Sequence, residues 1–308
     1  MRSVIGLDIG GSKTHGIRAA DGRTVAEAVA GSANLAAVGP AEAGRQLDAV
    51  LAALGVPGPG SGVAPGVAPE VDAVCAGAAG ADGAESVATM IRLLRDRVPG
   101  AVVSVVHDAR LVLAAAGLDE GAALIAGTGS VAWGARADGA TARAGGWGHL
   151  LGDEGSGYRV ALDAVRHCLD RMDAGRPVDA LGAALLDGVG LAGPHQLIDF
   201  FYTRQDRRFW AEQARVVTAL AAQGDTAARA ILDTAADALA ALAARVLDRL
   251  GRPGPVVLGG GFAVHEPLLQ DAVRERLVGT EVRVLAAAPA TGAVRLARSL
   301  PRPELEII

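Results

Sequence analysis

Cysteine, aromatic residues and positive charge are all scarce in this chain of 308 residues. The two cysteines, Cys75 and Cys168, cannot build a disulfide framework or a CxxC zinc site, and we expect a reduced, cytoplasmic compartment. Lysine and arginine total 29 against 34 aspartates and glutamates, so no basic surface for nucleic acid is predicted. Only 3% of residues are aromatic, but 51% are hydrophobic, which excludes a disordered chain.

Long apolar runs are also missing. The longest apolar stretch, around residues 235–247, is interrupted by Asp237 and Arg245, which predicts a helix of a soluble protein and not a membrane span. The first residues, MRSVIGLDIGG, carry Asp8 where a secretory signal would have an unbroken apolar core. We therefore expect a globular chain of about two domains without a membrane partner.

Lysine and asparagine each occur once, as Lys13 and Asn34, beside 28 arginines. A coding bias toward arginine, alanine and glycine explains this scarcity. Within such a bias, the two exceptions are mild pointers to positions where side-chain chemistry matters.

The same alternation of strands and helices occurs twice along the chain. The first half predicts strands at 4–9, 13–20, 24–29, 71–76 and 101–106, with helices at 41–54, 84–97 and 109–117. The second half predicts strands at 122–126, 131–136, a short third, 255–258 and 281–285, with helices between about 157 and 250, at 264–278 and at 290–299. Residues 55–69, rich in Pro and Gly, predict an exposed loop. This duplicated βββαβαβα plan predicts an α/β fold with mixed sheets, the second copy being enlarged by inserted helices.

Each half opens with a strand that runs into a glycine-rich turn, DIGGSKT at 8–14 and GTGS at 127–130. Successive backbone N–H groups in such turns form a cavity for anions, and hydroxyls and a lysine add donors. An ordinary hairpin would explain either turn alone, but two turns at equivalent places favour binding of a triphosphate. No P-loop motif occurs. The candidate contacts are Gly10, Gly11, Ser12, Lys13, Thr14, Thr128, Gly129 and Ser130.

Two aspartates follow predicted strands. Asp8 ends the first strand beside the first turn, where Mg²⁺ would remove the repulsion between the carboxylate and phosphates; a carboxylate bonded to turn amides is the alternative. Asp108 follows the strand AVVSVVH and precedes an apolar helix. Because ligands of open α/β sheets sit beyond the carboxyl ends of strands, Asp108 is placed to take a proton from a substrate hydroxyl, unless it only caps the helix.

The segment GGWGHLLGDEGSG at 145–157 surrounds Trp147, Asp153 and Glu154 with glycines. Carboxylates accept hydroxyl hydrogens and an aromatic face packs against C–H surfaces, so these residues suit a sugar. A structured loop with Trp147 in the core is the alternative.

The segment VVLGGGFAVHEPLL at 256–269 predicts a strand, a triple-glycine turn and a helix. Gly259, Gly260 and Gly261 would let a flat ligand ring approach the backbone. A tight junction between strand and helix explains them equally well.

Together these segments resemble the N-acetylglucosamine kinase branch of the BadF/BadG/BcrA/BcrD ATPases, within the sugar kinase, heat-shock and actin superfamily. The resemblance covers most of the chain and is weaker from about 157 to 250. It rests on DIGGSKT, GSANL at 31–35, HDA at 107–109, GTGS, and GGWGHLLGDEGS at 145–156, the last being the most specific. It implies two actin-like (ribonuclease H-like) domains, 1–116 and 117–288, with the nucleotide in the cleft between them and a C-terminal helix at about 289–308 packing back on the first domain.

The resemblance also implies a function. A homodimer would use ATP and Mg²⁺ to phosphorylate a hydroxyl, expected to be the 6-hydroxyl, of N-acetylglucosamine or glucosamine. It assigns Asp108 as the base, Asp8 to the metal, and the two phosphate turns with Gly259, Gly260 and Gly261 to ATP. The implied sugar contacts are Asn34, Gly80, Thr128, Gly146, Trp147, Asp153 and Glu154.

Two departures from the family pattern keep the sugar open. Residues 79–82 read Ala-Gly-Ala-Asp where vertebrate members have Ser-Gly-Gly-Asp, and Val131 follows GTGS where a polar residue is common. N-acetylmannosamine and N-acetylmuramic acid therefore remain candidate substrates.

Three other functions are consistent with the same fold. One is an ATPase that activates a 2-hydroxyacyl-CoA dehydratase through an iron–sulfur cluster shared by a dimer. Cys75 in an apolar strand and Cys168 in a helix, neither beside a nucleotide turn, argue against it. The others are a non-catalytic sugar sensor and hydrolysis of polyphosphate or nucleotide.

Overall fold

The computed structural model describes residues 2–57, 70–79, 83–204, 206–251 and 254–302. The chain forms two compact units, Met1–Asp119 with Ala286–Ile308 (unit 1) and Glu120–Leu285 (unit 2). Most of the loop predicted at 55–69 lies outside the described residues, as does Gly80.

Unit 1 is built on a five-stranded mixed sheet. In it β1 pairs antiparallel with β2 and β2 with β3, while β4 and β5 continue from β1 in parallel, giving the order β3-β2-β1-β4-β5. The strands are β1 (Ser3–Ile9), β2 (Lys13–Ala20), β3 (Arg23–Gly31), β4 (Ala73–Ala78) and β5 (Val102–His107). The helices that follow them are α1 (Leu35–Ala53), α2 (Ala84–Arg97) and α3 (Asp108–Ala115).

Unit 2 repeats this sheet. Its strands are β6 (Gly121–Ala126), β7 (Ser130–Ala135), β8 (Thr141–Gly145), β9 (Val256–Gly259) and β10 (Val282–Val284). The helices α4 (Gly157–Asp173), α5 (Ala180–Val189), α6 (Leu197–Thr203), α7 (Arg207–Glu212), α8 (Ala214–Ala222) and α9 (Thr226–Leu250) stand between β8 and β9, with a 3₁₀ turn at Pro194–Gln196. Two shorter helices, α10 (Gly261–His265) and α11 (Pro267–Arg276), join β9 to β10.

The two sheets have the same strand order and the same strand directions. The order β8-β7-β6-β9-β10 in unit 2 corresponds strand for strand to β3-β2-β1-β4-β5 in unit 1. In both, the first three strands in sequence are antiparallel and the last two run parallel to the first. The predicted α/β fold with a duplicated plan is therefore confirmed.

The last helix, α12 (Pro289–Ser299), follows β10 in sequence but packs in unit 1. A Cβ added to Gly6 in β1 would lie 2.4 Å from the backbone nitrogen of Val294. A Cβ added to Gly292 would lie 2.1 Å from the carbonyl oxygen of Leu111 in α3. The two glycines thus allow α12 to press directly against β1 and α3, where a larger side chain would collide with backbone.

Two helices differ from their predicted bounds by more than two residues or by a break in the helix. Helix α1 begins at Leu35, before the predicted 41, because Asn34 caps a first turn that precedes the non-helical Gly39 (φ 73°). The helix predicted at 264–278 divides into α10 and α11 at Glu266, because Pro267 has no N–H to continue α10 and is suited to a first helical position. Within the described ranges, no helix is long and apolar enough to cross a membrane.

Candidate active site

Asp8 and Asp108 come to the same edge of the unit 1 sheet. Strands β1, β4 and β5 are parallel, and Asp8 pairs with Gly77 on β4, one residue before the end of that strand. Asp108 follows directly after β5. Burial, and then the charge of Asp108, raise the pKa of Asp8 from 3.8 to about 6, although the positive groups of His15 and Lys13 oppose the shift. Two carboxylates thus share a partly desolvated edge of the sheet.

His107, and not Asp108, caps helix α3. The His107 Nδ1 atom accepts the N–H of Ala109 at 3.1 Å, and Asp108 is the first residue of the helix. The Asp108 Oδ1 atom also accepts the N–H of Ala109, at 2.8 Å, and lies 2.9 Å from His107 Nδ1. His107 therefore occupies the N-cap position, Asp108 adds a second acceptor for the same N–H, and the role of Asp108 as a base stays a prediction.

The first glycine-rich turn is tight and open to solvent. The N–H of Gly10 donates to the carbonyl of Lys13 at 2.9 Å, and Gly11, Ser12 and Lys13 are exposed. A Cβ added to Gly11 would meet no described atom within 4 Å, and the backbone of Gly11 is not in the left-handed region. Since neither conformation nor packing within the described chain requires glycine there, the open space is suited to a ligand that approaches the backbone.

Thr14 does not present its hydroxyl to this turn. The side chain of Thr14 is fully buried, and its Oγ1 accepts the N–H of Ala33 at 2.9 Å. The hydroxyl therefore links β2 to the segment before α1, and a phosphate contact of Thr14 stays a prediction.

Asn34 is buried and mostly committed to local structure. Its Oδ1 accepts the N–H groups of Ala36 at 2.9 Å and Ala37 at 3.2 Å, and its Nδ2 donates to the carbonyl of Ala79 at 2.8 Å. A side-chain amide has two N–H donors. Asn34 can therefore offer a sugar at most one N–H. Gly80, another predicted sugar contact, lies outside the described residues.

In unit 2, Ser130 joins the second glycine-rich turn to the loop that follows β8. Its N–H donates to Asp153 Oδ1 at 3.2 Å, and its hydroxyl donates to the carbonyl of Glu154 at 2.6 Å. Ser130 is buried and its hydroxyl holds the carbonyl of Glu154, and a phosphate contact of Ser130 stays a prediction. A Cβ on Gly129 would lie 2.8 Å from Asp153 Oδ1, so glycine is needed for this contact.

Asp153 is held in an unusual conformation. It is buried, and its φ of 60° is rare for a residue other than glycine. Burial raises the pKa of Asp153, while the hydrogen bond from Ser130 opposes the rise. Strain and burial at one carboxylate are typical of a functional site. Glu154, by contrast, is exposed.

Trp147 lies on the surface and not in the core. Its side chain is 65% exposed, and the Arg143 guanidinium stacks over the indole with its carbon 5.1 Å from the ring centroid. Arg143 also donates to the carbonyl of Gly146 at 2.7 Å, while the N–H of Gly146 donates to the carbonyl of Ser130 at 2.9 Å. The alternative of a core tryptophan is therefore wrong, and an apolar face is available beside Gly146.

A cavity of about 300 Å³ in unit 2 joins the two remaining glycine-rich segments. Gly127 and Thr128 line it from the GTGS turn, and Gly261 and Phe262 from the GGGF turn. A Cβ on Gly261 would meet no described atom within 4 Å, whereas Gly260 has φ 86° and its Cβ would lie 2.5 Å from the carbonyl oxygen of Ala126. Gly260 is thus required by the turn itself, and Gly261 leaves room inside the cavity.

Sequence reasoning missed the helical wall of this cavity. Arg208 and Glu212 on α7 and Arg215 on α8 line it, together with Glu266, whose pKa is raised by burial. Arg208 and Glu212 are four residues apart and so lie on one face of α7, and Arg215 follows in the first turn of α8. That spacing was the available signal, but charged residues at such intervals are also typical of a solvated helix face.

The residues of unit 1 are compatible with Mg²⁺. Among the described residues, no group of three or more His, Cys, Asp or Glu side chains could hold a metal ion alone. Mg²⁺ does not need such a cage, because it usually binds through one or two carboxylates, water and substrate phosphates. Asp8, partly desolvated and beside a second carboxylate, fits that donor set.

The two repeated sheets and their glycine-rich turns define the actin-like fold of sugar kinases, which the described chain shares with solved structures. The chain belongs to the BadF/BadG/BcrA/BcrD ATPase family, whose model matches residues 5–297.

Two relatives and one solved structure that are similar to this chain carry the names of N-acetylglucosamine kinases. The chain is 34% identical over 230 residues to an N-acetylmuramic acid/N-acetylglucosamine kinase of Clostridium acetobutylicum, covering 73% of this chain and 72% of that one. It is 27% identical over 240 residues to an N-acetyl-D-glucosamine kinase of Dictyostelium discoideum, covering 74% and 75%. A structure from Chromobacterium violaceum, provisionally assigned as an N-acetylglucosamine kinase, superimposes with a TM-score of 0.74 and 28% identity over 96% of this chain and 99% of that one.

Proposed function

We propose that this protein is an ATP-dependent kinase that phosphorylates a hydroxyl of an amino sugar. N-acetylglucosamine and glucosamine are the first candidates, and the 6-hydroxyl is the expected acceptor. The named relatives support the substrate class, since both act on N-acetylglucosamine by name. The reaction moves the γ-phosphoryl group of ATP to the sugar oxygen, releases ADP, and transfers the hydroxyl proton to a base.

The observation that carries the proposal is the double hydrogen bond of Ser130. Its N–H and hydroxyl tie the GTGS turn to the backbone and side chain of the Asp153–Glu154 segment. A turn suited to phosphate and a loop suited to sugar hydroxyls are therefore one rigid piece. Phosphoryl transfer depends mainly on positioning and charge stabilisation, so a fixed spacing between the two is what such a reaction requires.

Asp108 is the proposed general base. It stands at the carboxyl end of β5, where His107 occupies the N-cap position of α3. Asp108 Oδ1 also accepts the N–H of Ala109, so the second carboxylate oxygen, Oδ2, would orient and deprotonate the hydroxyl. The proton of the sugar hydroxyl passes to Asp108 as the oxygen–phosphorus bond forms.

The proposed ATP contacts come from two places, the cavity of unit 2 and the first glycine-rich turn of unit 1. Thr128 and Gly261 line the unit 2 cavity, where Arg208, Arg215 and Phe262 offer cationic and aromatic contacts to a nucleotide. In unit 1, Gly11 and Ser12 would supply backbone N–H groups and Lys13 a positive charge, beside Gly10, whose own N–H closes the turn. Asp8 would hold Mg²⁺, which when bound neutralises phosphate charge. Gly146, Trp147 and Asp153 are the proposed sugar contacts of unit 2, and one N–H of Asn34 is the proposed contact of unit 1.

The test is ADP release from MgATP by purified protein with a panel of sugars. Glucosamine, N-acetylglucosamine, N-acetylmannosamine, N-acetylmuramic acid and glucose are compared with a sugar-free control. Sugar-dependent ADP release supports the proposal, and ³¹P–¹³C coupling in the product identifies the acceptor oxygen. If no sugar stimulates ADP release above the control, the kinase proposal is wrong, and release without sugar indicates simple hydrolysis.

The cysteines separate this function from an iron–sulfur ATPase. Cys75 is buried in β4, and burial raises the pKa of its thiol to about 12. Cys168 is buried within α4. Protein purified without oxygen should therefore be colourless, and an absorbance band of a bound cluster would favour the dehydratase activator instead.

A further inference from the structure

The GTGS turn of unit 2 places a carboxylate beside the position proposed for a phosphate. A Cβ added to Gly129 would lie 2.8 Å from Asp153 Oδ1, so the carboxylate of Asp153 lies directly against the backbone of the turn. Thr128, the residue before Gly129, lines the cavity proposed for ATP. A phosphoryl group at this turn would meet the negative charge of Asp153, and like charges repel strongly in a partly desolvated site. A cation nearby would offset that repulsion.

Helix α7 begins beside the same turn. The N–H of Gly157, the first residue of α4, donates to the carbonyl of Gly127 at 2.9 Å. A Cβ added to Gly157 would lie 3.1 Å from the carbonyl oxygen of Ala211 on α7. Arg207, the first residue of α7, precedes Ala211 by four residues and so lies on the same face of that helix. This face packs against the start of α4, four residues after Asp153.

The charge of Arg207 acts on Asp153. Burial raises the pKa of Asp153, and the hydrogen bond from Ser130 and then the charge of Arg207 oppose that rise. Among the side-chain charges, Arg207 has the largest effect on this pKa. The side chain is exposed, which leaves it accessible to a ligand.

The donors of Arg207 are not committed to a protein carboxylate. Within the part of the chain that the structure describes, no carboxylate forms an ion pair with Arg207. The next residue, Arg208, is paired with Glu212 at 3.3 Å and lines the cavity proposed for ATP. Arg207 therefore stands between that cavity and Asp153 with its guanidinium group available to an anion.

We infer that Arg207 is a catalytic residue whose guanidinium group contacts the phosphoryl group during its transfer from ATP to the sugar. An arginine that donates hydrogen bonds to the non-bridging oxygens stabilises the charge that they carry in the transition state. The same cation reduces the repulsion between these oxygens and Asp153, a proposed sugar contact. This inference rests on the proposed kinase function, and it adds a source of charge stabilisation from unit 2.

Arg207 takes no part in the exchange of bonds. The bond between the γ-phosphorus and the oxygen that bridges it to the β-phosphorus breaks, and that oxygen leaves on ADP with the electron pair. The oxygen of the sugar hydroxyl forms the new bond to phosphorus, and its proton passes to Asp108. Arg207 donates hydrogen bonds throughout and keeps its own protons.

The first test is single-turnover phosphoryl transfer by Arg207→Gln, with MgATP and the sugar that the wild-type protein phosphorylates fastest. We expect the rate to fall by about 10²-fold or more, the usual cost of removing one donor to transition-state charge. The Kd for ATP and the KM for the sugar should stay within about threefold of the wild-type values, because the contact forms mainly in the transition state. Arg207→Lys keeps the charge without the planar pair of donors and should recover part of the rate.

The control is Arg166→Gln, which changes an exposed arginine of α4 that is paired with Asp163 and is not part of the cavity lining. It should keep the wild-type rate. A second measurement needs no turnover: calorimetry of fluoroaluminate, a mimic of the phosphoryl group in transit, binding with MgADP and the sugar. Arg207→Gln should bind the mimic about 10²-fold more weakly than the wild-type protein and should bind MgADP alone equally well.

The results distinguish this inference from the proposed function. Suppose that the wild-type protein phosphorylates a sugar and Arg207→Gln keeps more than about a tenth of its single-turnover rate. Arg207 then does not contact the phosphoryl group, and the inference is wrong. It is equally wrong if only the KM for the sugar rises, because Arg207 would then act on Asp153 alone. If the wild-type protein phosphorylates no sugar, the kinase function itself has failed.

Discussion

The imidazole of His107 and the carboxylate of Asp108 share one backbone donor. Both His107 Nδ1 and Asp108 Oδ1 accept the N–H of Ala109, and the two acceptors lie 2.9 Å apart. The helix cap is therefore secured by His107, and a change at Asp108 can alter chemistry without uncapping α3.

We expect Asp108→Asn to slow the chemical step by about 10²-fold or more, the usual contribution of a general base. The amide keeps the shape of the side chain but cannot accept the proton. Single-turnover phosphoryl transfer measures the effect, and thermal unfolding and ATP binding should remain near those of the wild-type protein. If chemistry is rate-limiting and the variant keeps more than about a tenth of the wild-type rate, the base lies elsewhere, with Asp153 the next candidate.

Asp153→Asn should raise the KM for the sugar more than it lowers kcat. A hydroxyl contact made before and during the reaction is mostly uniform binding. Asparagine tolerates the φ of 60° at this position and retains an oxygen for the N–H of Ser130. Steady-state kinetics on N-acetylglucosamine measure the split. A loss of kcat near that of Asp108→Asn, with KM unchanged, would instead assign Asp153 to the chemical step.

Two adjacent glycines should respond in opposite ways to alanine. Gly261→Ala adds a methyl group in the open cavity and should weaken ATP binding by about tenfold or more while leaving the melting temperature unchanged. Gly260→Ala should lower the melting temperature, because φ is 86° and the new Cβ would strike the backbone of Ala126. Calorimetry measures the ATP affinity of both variants, and thermal unfolding measures their melting temperatures. If Gly261→Ala binds ATP as tightly as the wild-type protein, ATP does not bind in this cavity.

Asp8→Asn should stabilise the metal-free protein at neutral pH. The folded pKa of Asp8 is raised to about 6, so the folded chain holds the proton that the unfolded chain has lost, and stability falls as pH rises from about 4 to 6. Above that range the charged carboxylate costs on the order of 3 kcal/mol, which asparagine avoids.

Thermal unfolding in EDTA at pH 7.5 and at lower pH measures this gain. The advantage of Asp8→Asn should shrink as pH falls through about 6. The exposed Asp173 provides the control, because Asp173→Asn should show no such pH-dependent gain. A variant less stable than the wild-type protein at pH 7.5 would mean that the carboxylate is held by turn amides.

The repeated sheets could be predicted from the sequence because their strands are short apolar runs bounded by glycine or aspartate. The succession of strands and helices along each half followed from the same pattern. The glycine-rich motifs indicated which turns carry the candidate site residues. What the sequence did not contain was the direction of individual side chains. The hydroxyls of Thr14 and Ser130 turn inward because Ala33 and Glu154, distant in sequence, need hydrogen-bond partners.

The helical wall of the unit 2 cavity lined by Gly127 and Gly261 could not be predicted for a different reason. Arg208, Glu212 and Arg215 have the composition of a solvent-exposed face, and only the tertiary placement of α7 and α8 beside Gly127 and Gly261 makes them a lining. The cap by His107 was equally invisible, because aspartate is the more usual residue at that position.

The central claim is that MgATP and an amino sugar react on this protein, and the most direct measurement is the transfer of ³²P from γ-labelled ATP to N-acetylglucosamine. We expect label in the sugar that appears with the wild-type protein, in amounts equal to the ADP formed, and is nearly absent with Asp108→Asn. Label that remains in ATP, or appears only as inorganic phosphate whether or not the sugar is present, would contradict the account.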